Sequence, residues 1–164
     1  MRFLLGNHEE VFLKALAGEQ GALPLFNRIG GRETALSYGI SEADYQASDY
    51  NQLAAMLQQA VPRSHIEFLN RFEDLIVIGD YAFVHAGVRP GTPLVRQRTS
   101  DLRWIRNEFL EHDGPHEKHI VHGHTIAPKV EVEGYRIGLD TGAYMSGTLT
   151  AMGFEGDQRW ILQT

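Results

Sequence analysis

Leu75-Ile76-Val77-Ile78-Gly79-Asp80-Tyr81-Ala82-Phe83-Val84-His85-Ala86-Gly87 is the stretch on which the fold turns. Two runs of β-branched, aliphatic and aromatic residues flank Gly79-Asp80, a pair suited to a two-residue turn, so the segment predicts an antiparallel hairpin. Its second strand delivers His85 to a strand end. A histidine there is either hydrogen-bonded structure or, with glycine beside it, a group set where a ligand approaches closely.

Upstream, Phe3 to Leu5 reads as a short buried strand, and Glu9 to Ala17 as a helix with Val11, Phe12, Ala15 and Leu16 on one face. Between them Gly6-Asn7-His8-Glu9 forms the turn, where Asn7 is a candidate cap and Glu10, three residues on, completes a capping-box-like pair. Residues 18–49 are turn-rich and predict irregular structure or short helices. Tyr50 to Gln59 and Ser64 to Phe72 predict two helices separated at Pro62.

Downstream, Asp101 to Glu111 predicts one helix with Leu102, Ile105, Phe109 and Trp104 inward. A polar stretch through His116 follows, in which His112, His116 and the nearby His119 are expected to face solvent. Lys118 to Val121, Val130 to Val132, Tyr135 to Leu139, Gly147 to Phe154 and Arg159 to Leu162 are strand-like, so the C-terminal third is mostly β. Glu131 and Glu133 alternate with Val130 and Val132, as in a half-exposed strand. No repeat or linker interrupts the 164 residues, which predicts a single domain over residues 1–164.

Composition narrows the function classes. With 43% hydrophobic and 22% charged residues, the chain has the balance of a soluble globular domain. It has no apolar run near the roughly 20 residues a bilayer span needs, and its N-terminal apolar segment is too short for a secretory signal, so a cytoplasmic location with no membrane partner is expected. A net charge of −6 argues against a nucleic-acid partner. The chain has no cysteine, so any metal must be held by His, Asn, Asp or Glu.

Three short motifs each follow an apolar run: Gly6-Asn7-His8-Glu9, His85-Ala86-Gly87 and His122-Gly123-His124-Thr125. Asn7 offers an amide oxygen, while His85 and His124 offer imidazole nitrogens. That donor mixture suits a borderline divalent metal such as Mn, Fe or Zn. His8, beside a ligand candidate, is able to protonate a leaving alkoxide near neutral pH.

Taken in order, Gly-Asn-His-Glu at 6–9, Phe-Val-His-Ala-Gly-Val-Arg-Pro at 83–90, and Val-His-Gly-His-Thr at 121–125 with Leu139-Asp140-Thr141-Gly142-Ala143 following resemble the calcineurin-like metallophosphoesterases. Within them the chain looks most like the bacterial and phage serine/threonine protein phosphatases. The resemblance extends over nearly the whole chain, including Gly30-Gly31-Arg32-Glu33-Thr34 and Ser37-Tyr38-Gly39. It implies an α/β (α+β) fold, a two-sheet sandwich flanked by helices. It also implies hydrolysis of phosphoric monoesters, most simply on phosphorylated protein, by water activated between two metal ions, with Mn expected and Fe or Zn as alternatives.

By the same resemblance Asn7, His85 and His124 are metal ligands, His8 is the general acid, and Arg106 clamps the phosphoryl oxygens, with Arg103 the competing assignment. A solvated helix face remains the alternative for both arginines. His122 would lie just outside the ligands. Glu9 either orients His8 or belongs to the helix start, and Asp140 either supports a ligand histidine or makes a turn. Two further enzyme or non-enzyme readings share the motifs: a symmetrical diadenosine-tetraphosphate hydrolase, and a non-catalytic binding or regulatory domain of the same fold.

The family pattern also contains Asp-x-His-Gly and Gly-Asp-x-x-Asp-Arg-Gly ahead of Gly-Asn-His-Glu, and neither occurs in this sequence. Gly79-Asp80-Tyr81 continues as Ala82-Phe83-Val84 and reads as the hairpin turn. The expectation is therefore a domain without its N-terminal strand-helix-strand, with one metal site incomplete. Such a chain would be inactive or impaired alone, with an uncovered sheet edge through which it associates with a partner.

Overall fold

The computed structural model describes residues 1–156 and 158–164. The chain divides into two compact units, one of residues 7–72 and one of residues 1–6 with 73–164.

The unit of residues 7–72 is helical. It comprises α1 (Asn7–Leu16), α2 (Ala22–Arg28), α3 (Gly31–Ser37), α4 (Glu42–Ala47), α5 (Tyr50–Ala60) and α6 (Arg63–Leu69). α1 buries Val11, Phe12, Ala15 and Leu16, the face the sequence predicts, and carries Glu9 and Glu10 in its first turn and Lys14 in its last, matching the helix dipole. Asn7 is itself the first helical residue, so it does not occupy the extended position that a capping side chain requires. α5 shows the reciprocal capping expected of such a start: Gln52 N–H donates to Asp49 Oδ1 at 2.8 Å and Asp49 N–H to Gln52 Oε1 at 2.9 Å. Pro62 occupies the position before α6, where its fixed φ and missing N–H cost nothing. Phe12 stacks on Phe26 and on Tyr38, with centroids 5.6 and 5.9 Å apart. α3 begins at Gly31 because a Cβ there would sit 2.6 Å from the Phe26 carbonyl oxygen.

The second unit holds β1 (Leu75–Ile78), β2 (Tyr81–Val84), α7 (Thr99–Trp104), α8 (Asn107–Leu110), β3 (His119–His122), β4 (Glu131–Glu133), β5 (Arg136–Gly138), α9 (Ala143–Ser146), β6 (Thr150–Glu155) and β7 (Gln158–Gln163). Five strands form a mixed sheet in the order β1-β2-β3-β5-β4, and β6-β7 form a second, two-stranded sheet. The predicted hairpin is present, with Ile78 opposite Tyr81 across a turn in which Gly79 takes φ +56°. Alternation along β2 then assigns the faces. Ala82 and Val84 are buried with Ile120 against Leu102, Ile105 and Phe109. On the other face Tyr81 and Phe83 meet Phe154 of β6, at 4.7 and 5.8 Å between centroids.

Three sequence expectations change. Phe3 to Leu5 makes a single parallel bridge, Leu4 to Glu73, rather than a strand. Glu73 lies alongside it, accepting from Leu5 N–H and donating to the Phe3 carbonyl, both at 2.9 Å. The predicted helix over Asp101 to Glu111 is broken at Ile105-Arg106, where Arg106 adopts φ −132°, ψ −101°. The Leu102 carbonyl, which a continuous helix would offer to Arg106 N–H, accepts instead from Ala86 N–H at 2.8 Å. Leu102, Ile105 and Phe109 are buried either way, so hydrophobic spacing does not register the break. On the edge strand β4, Val132 is exposed, while Glu131 and Glu133 both pair with Arg136. The other edge, β1, also exposes Val77 and Ile78. Among the described residues no helix is long and apolar enough to cross a membrane.

Candidate functional site

β2 and β3 run parallel and in register, Phe83 opposite Val121, so the loops that leave them emerge at the same end of the sheet. Gly123 N–H donates to the His85 carbonyl at 2.9 Å and ties the two loops together. β5 joins them in parallel, with His122 opposite Gly138, so Leu139 and Asp140 arrive at that end too. Three strand ends thus converge, and rigid strands present groups that the loops leave accessible.

At this convergence His85 Nε2 lies 3.2 Å from His124 Nδ1, with the rings 5.0 Å apart and tilted by 60°. His124 is held in the left-handed region at φ +65°, the only non-glycine residue with positive φ among those described. Such strain persists where the surroundings impose it. Here Arg106 Nη1 donates to the His124 carbonyl and to Thr125 Oγ1, both at 3.1 Å. The break between α7 and α8 sets Arg106 between the two helices, and its side chain stays exposed. A cavity of about 360 Å³ opens beside the two histidines, with Phe83, Val121 and Leu139 among its walls.

The other candidates in this unit have different partners. Arg103 Nε donates to Asp74 Oδ1 at 2.6 Å and is half-buried. Asp140 Oδ1 accepts from Gly142 N–H at 2.9 Å, which is the turn role. His122 is buried, its Nδ1 3.1 Å from the Gly123 carbonyl and its ring edge-on to Phe109, while its Nε2 has no hydrogen-bond partner among the described residues. Burial pushes its pKa below the ordinary histidine value, partly opposed by the Gly123 carbonyl, which favours the neutral form of the ring. Arg89 braces the neighbouring loop, making a bidentate pair with Asp101 at 2.9 Å and reaching Glu108 at 3.1 Å across the helix break. The loop after His85 packs closely, since a Cβ on Gly87 would lie 2.3 Å from the Phe109 ring.

Asn7, His8 and Glu9 begin α1 in the helical unit. Asn7 is buried, His8 exposed and Glu9 intermediate. His8 and Glu9 line a second cavity, of about 270 Å³, within that unit.

A divalent metal can be tested against these donors. Two imidazole nitrogens each about 2.0–2.1 Å from one ion, at tetrahedral to octahedral angles, stand roughly 2.9–3.4 Å apart. The 3.2 Å between His85 and His124 fits that spacing. Among the described residues no group of three or more His, Asp or Glu gathers to hold a metal, so this unit supplies a pair of donors and not a complete coordination set.

Thr125 and the backbone N–H of Ala86 are the participants that sequence reading passes over. Thr125 stands inside the His-Gly-His-Thr motif, but its partner is 19 residues away, and the Ala86 bond carries no side-chain signature.

No family model and no curated protein matches this chain. Among solved structures it is similar to one described as "a putative diadenosine tetraphosphatase", with TM-score 0.64 and 21% sequence identity, over 99% of this chain and 68% of that one. The shared fold is mixed α/β, sheet and helices together.

Proposed function

We propose that this chain carries the histidine ligands of a metal-dependent phosphoric ester hydrolase, and that its natural substrate is a phosphorylated protein. The observation that supports the reading is the 3.2 Å approach of His85 Nε2 and His124 Nδ1 at the ends of adjacent parallel strands. A bound divalent ion, Mn by preference, would supply charge neutralisation of the phosphate and a water of lowered pKa.

The chain's own residues then have separate tasks. His85 and His124 hold the ion, and by the family resemblance Asn7 is a further ligand. Arg106 spends Nη1 on His124 and Thr125 and, with five N–H donors in its fork, keeps others for phosphoryl oxygens. His8, exposed at the start of α1, gives a proton to the leaving oxygen. Because the Asp-x-His-Gly and Gly-Asp-x-x-Asp-Arg-Gly motifs are not in these 164 residues, turnover by the chain alone is expected to be impaired. The solved structure to which the fold is similar favours a second reading, hydrolysis of a dinucleoside tetraphosphate at the same donors.

Hydrolysis of p-nitrophenyl phosphate with added Mn²⁺, run beside His8→Asn and His124→Ala, tests the proposal. Metal-dependent release of nitrophenol that both substitutions suppress supports it. Mn²⁺ that binds no more tightly to the parent than to His124→Ala contradicts it, whatever the turnover.

A further inference from the structure

Among the described residues β7 pairs with β6 alone, and every residue along it is exposed. Its outer edge is therefore an open row of backbone donors and acceptors. Alternation settles which residues own that row. Thr164 N–H, one place beyond β7, donates to the Leu149 carbonyl at 3.2 Å, on the β6 side. By the two-residue period of an antiparallel ladder, Leu162 and Trp160 also turn their N–H and C=O toward β6, and Arg159, Ile161 and Gln163 turn theirs outward. Side chains alternate as well. Arg159 Nε donates to the Tyr81 hydroxyl oxygen at 2.9 Å, so Ile161 and Gln163 share the face turned to the larger sheet, while Leu162 shares the opposite face with Trp160, which covers Gly153.

We propose that this edge pairs antiparallel with the β7 edge of a second copy of the chain, about a two-fold axis at Ile161, joining two β6-β7 hairpins into one four-stranded sheet. A two-fold contact requires a strand that matches itself when reversed, because residue i meets residue j and j meets i. Gln158-Arg159-Trp160-Ile161-Leu162-Gln163-Thr164 does so about Ile161. Ile161 meets Ile161 of the second copy, Trp160 meets Leu162, Arg159 meets Gln163 and Gln158 meets Thr164. The two Trp-Leu pairs make an apolar cluster on one face, and the outward backbone groups of Arg159, Ile161 and Gln163 fall opposite one another. Charge agrees with this occupant. The chain carries a net charge of −6, yet the one charged residue of β7 is Arg159, held by Tyr81 and set opposite an amide, so no like charges meet. The β4 edge offers no such match, since self-pairing about Val132 would set Glu131 against Glu133.

Sedimentation equilibrium of the full chain in a chelator tests the proposal. A single strand pair lies at the small end of specific interfaces, so a monomer–dimer equilibrium with a dissociation constant of about 10–100 μM is expected. Ile161→Lys sets two ammonium groups against each other on the axis and should raise that constant at least about tenfold, and Ile161→Glu should do the same with two carboxylates. An equal mixture of the two variants should associate again, one copy of each, because only this register sets position 161 against itself. The proposal is overturned if the parent stays monomeric to about 1 mM, if the dimer persists in folded Ile161→Lys, if the mixture of variants does not associate, or if Val77→Lys on the β1 edge dissociates the dimer instead. Neither metal nor phosphoester enters these measurements, so they stand apart from the Mn²⁺ binding that decides the hydrolase reading.

Discussion

The two places where the candidate residues collect are built by different means. At the sheet end, His85 and His124 are brought within 3.2 Å by parallel register, a backbone bond from Gly123, and the strained backbone of His124. At the start of α1, His8 and Glu9 project from a helix that needs only local signals to form. The first arrangement depends on residues tens of positions apart, the second on a ten-residue segment and what packs behind it. A donor pair that must share one ion needs distances held to tenths of an ångström. The cavity lined by His8 and Glu9 carries no such demand, and a helix start with aromatic packing suffices to form it.

The largest test of this contrast removes support from each side. Phe109→Ala opens a hole beneath the loop after His85 and is expected to cost about 3–5 kcal/mol, while Leu57→Ala, buried in the helical unit, costs about 2–5 kcal/mol. Chemical denaturation followed by metal titration under native conditions separates them. Phe109→Ala should weaken metal binding as well as stability, and Leu57→Ala should leave the affinity supplied by the histidine pair nearly intact. Equal losses of affinity would show that the contrast is false.

Removing a proposed ligand comes next. His124→Ala is expected to reduce Mn²⁺ affinity by more than the roughly 100-fold that loss of an outer supporting group causes. Isothermal titration measures it, with Asp140→Ala, which removes the turn bond to Gly142 N–H at the same end of the sheet, as the comparison.

Arg106→Met should have a smaller effect of a particular kind. It releases the His124 carbonyl and Thr125 Oγ1, so metal affinity should fall about tenfold in addition to any rise in KM for phosphoester. An unchanged metal affinity with a raised KM would restrict Arg106 to phosphate binding. Arg103→Met, whose partner is Asp74, should leave KM near the parent value.

The smallest effect concerns pH. Burial lowers the pKa of His122, and burial with the nearby His112 lowers that of His116. The unfolded chain binds these protons near pH 6.5, at the ordinary histidine value, and the folded chain only at lower pH. Stability should be whole above about pH 6.5 and decline as pH falls through the folded-state values. Thermal melts in a chelator across that range measure the decline, and His116→Gln should remove part of it.

Much of this was legible in the residues. Gly79-Asp80 between two apolar runs specified a hairpin, and its register places His85 immediately beyond β2. The spacing of Val11, Phe12, Ala15 and Leu16 specified α1 and its buried face. The His-Gly-His motif singled out a donor, although its spacing says nothing about which histidine turns inward. In the fold His122 packs on Phe109 and His124 meets His85.

The sequence by itself therefore determined the local elements and the inventory of donors, because turn chemistry and hydrophobic periodicity act over a few residues. Only the tertiary structure decided that α7 ends at Trp104, since the competing donor for the Leu102 carbonyl is Ala86, 16 residues earlier in the chain. It likewise decided that Arg106 holds His124 while Arg103 pairs with Asp74. Both choices depend on which distant backbone and carboxylate groups the sheet brings alongside, a matter of register across strands that no local pattern encodes.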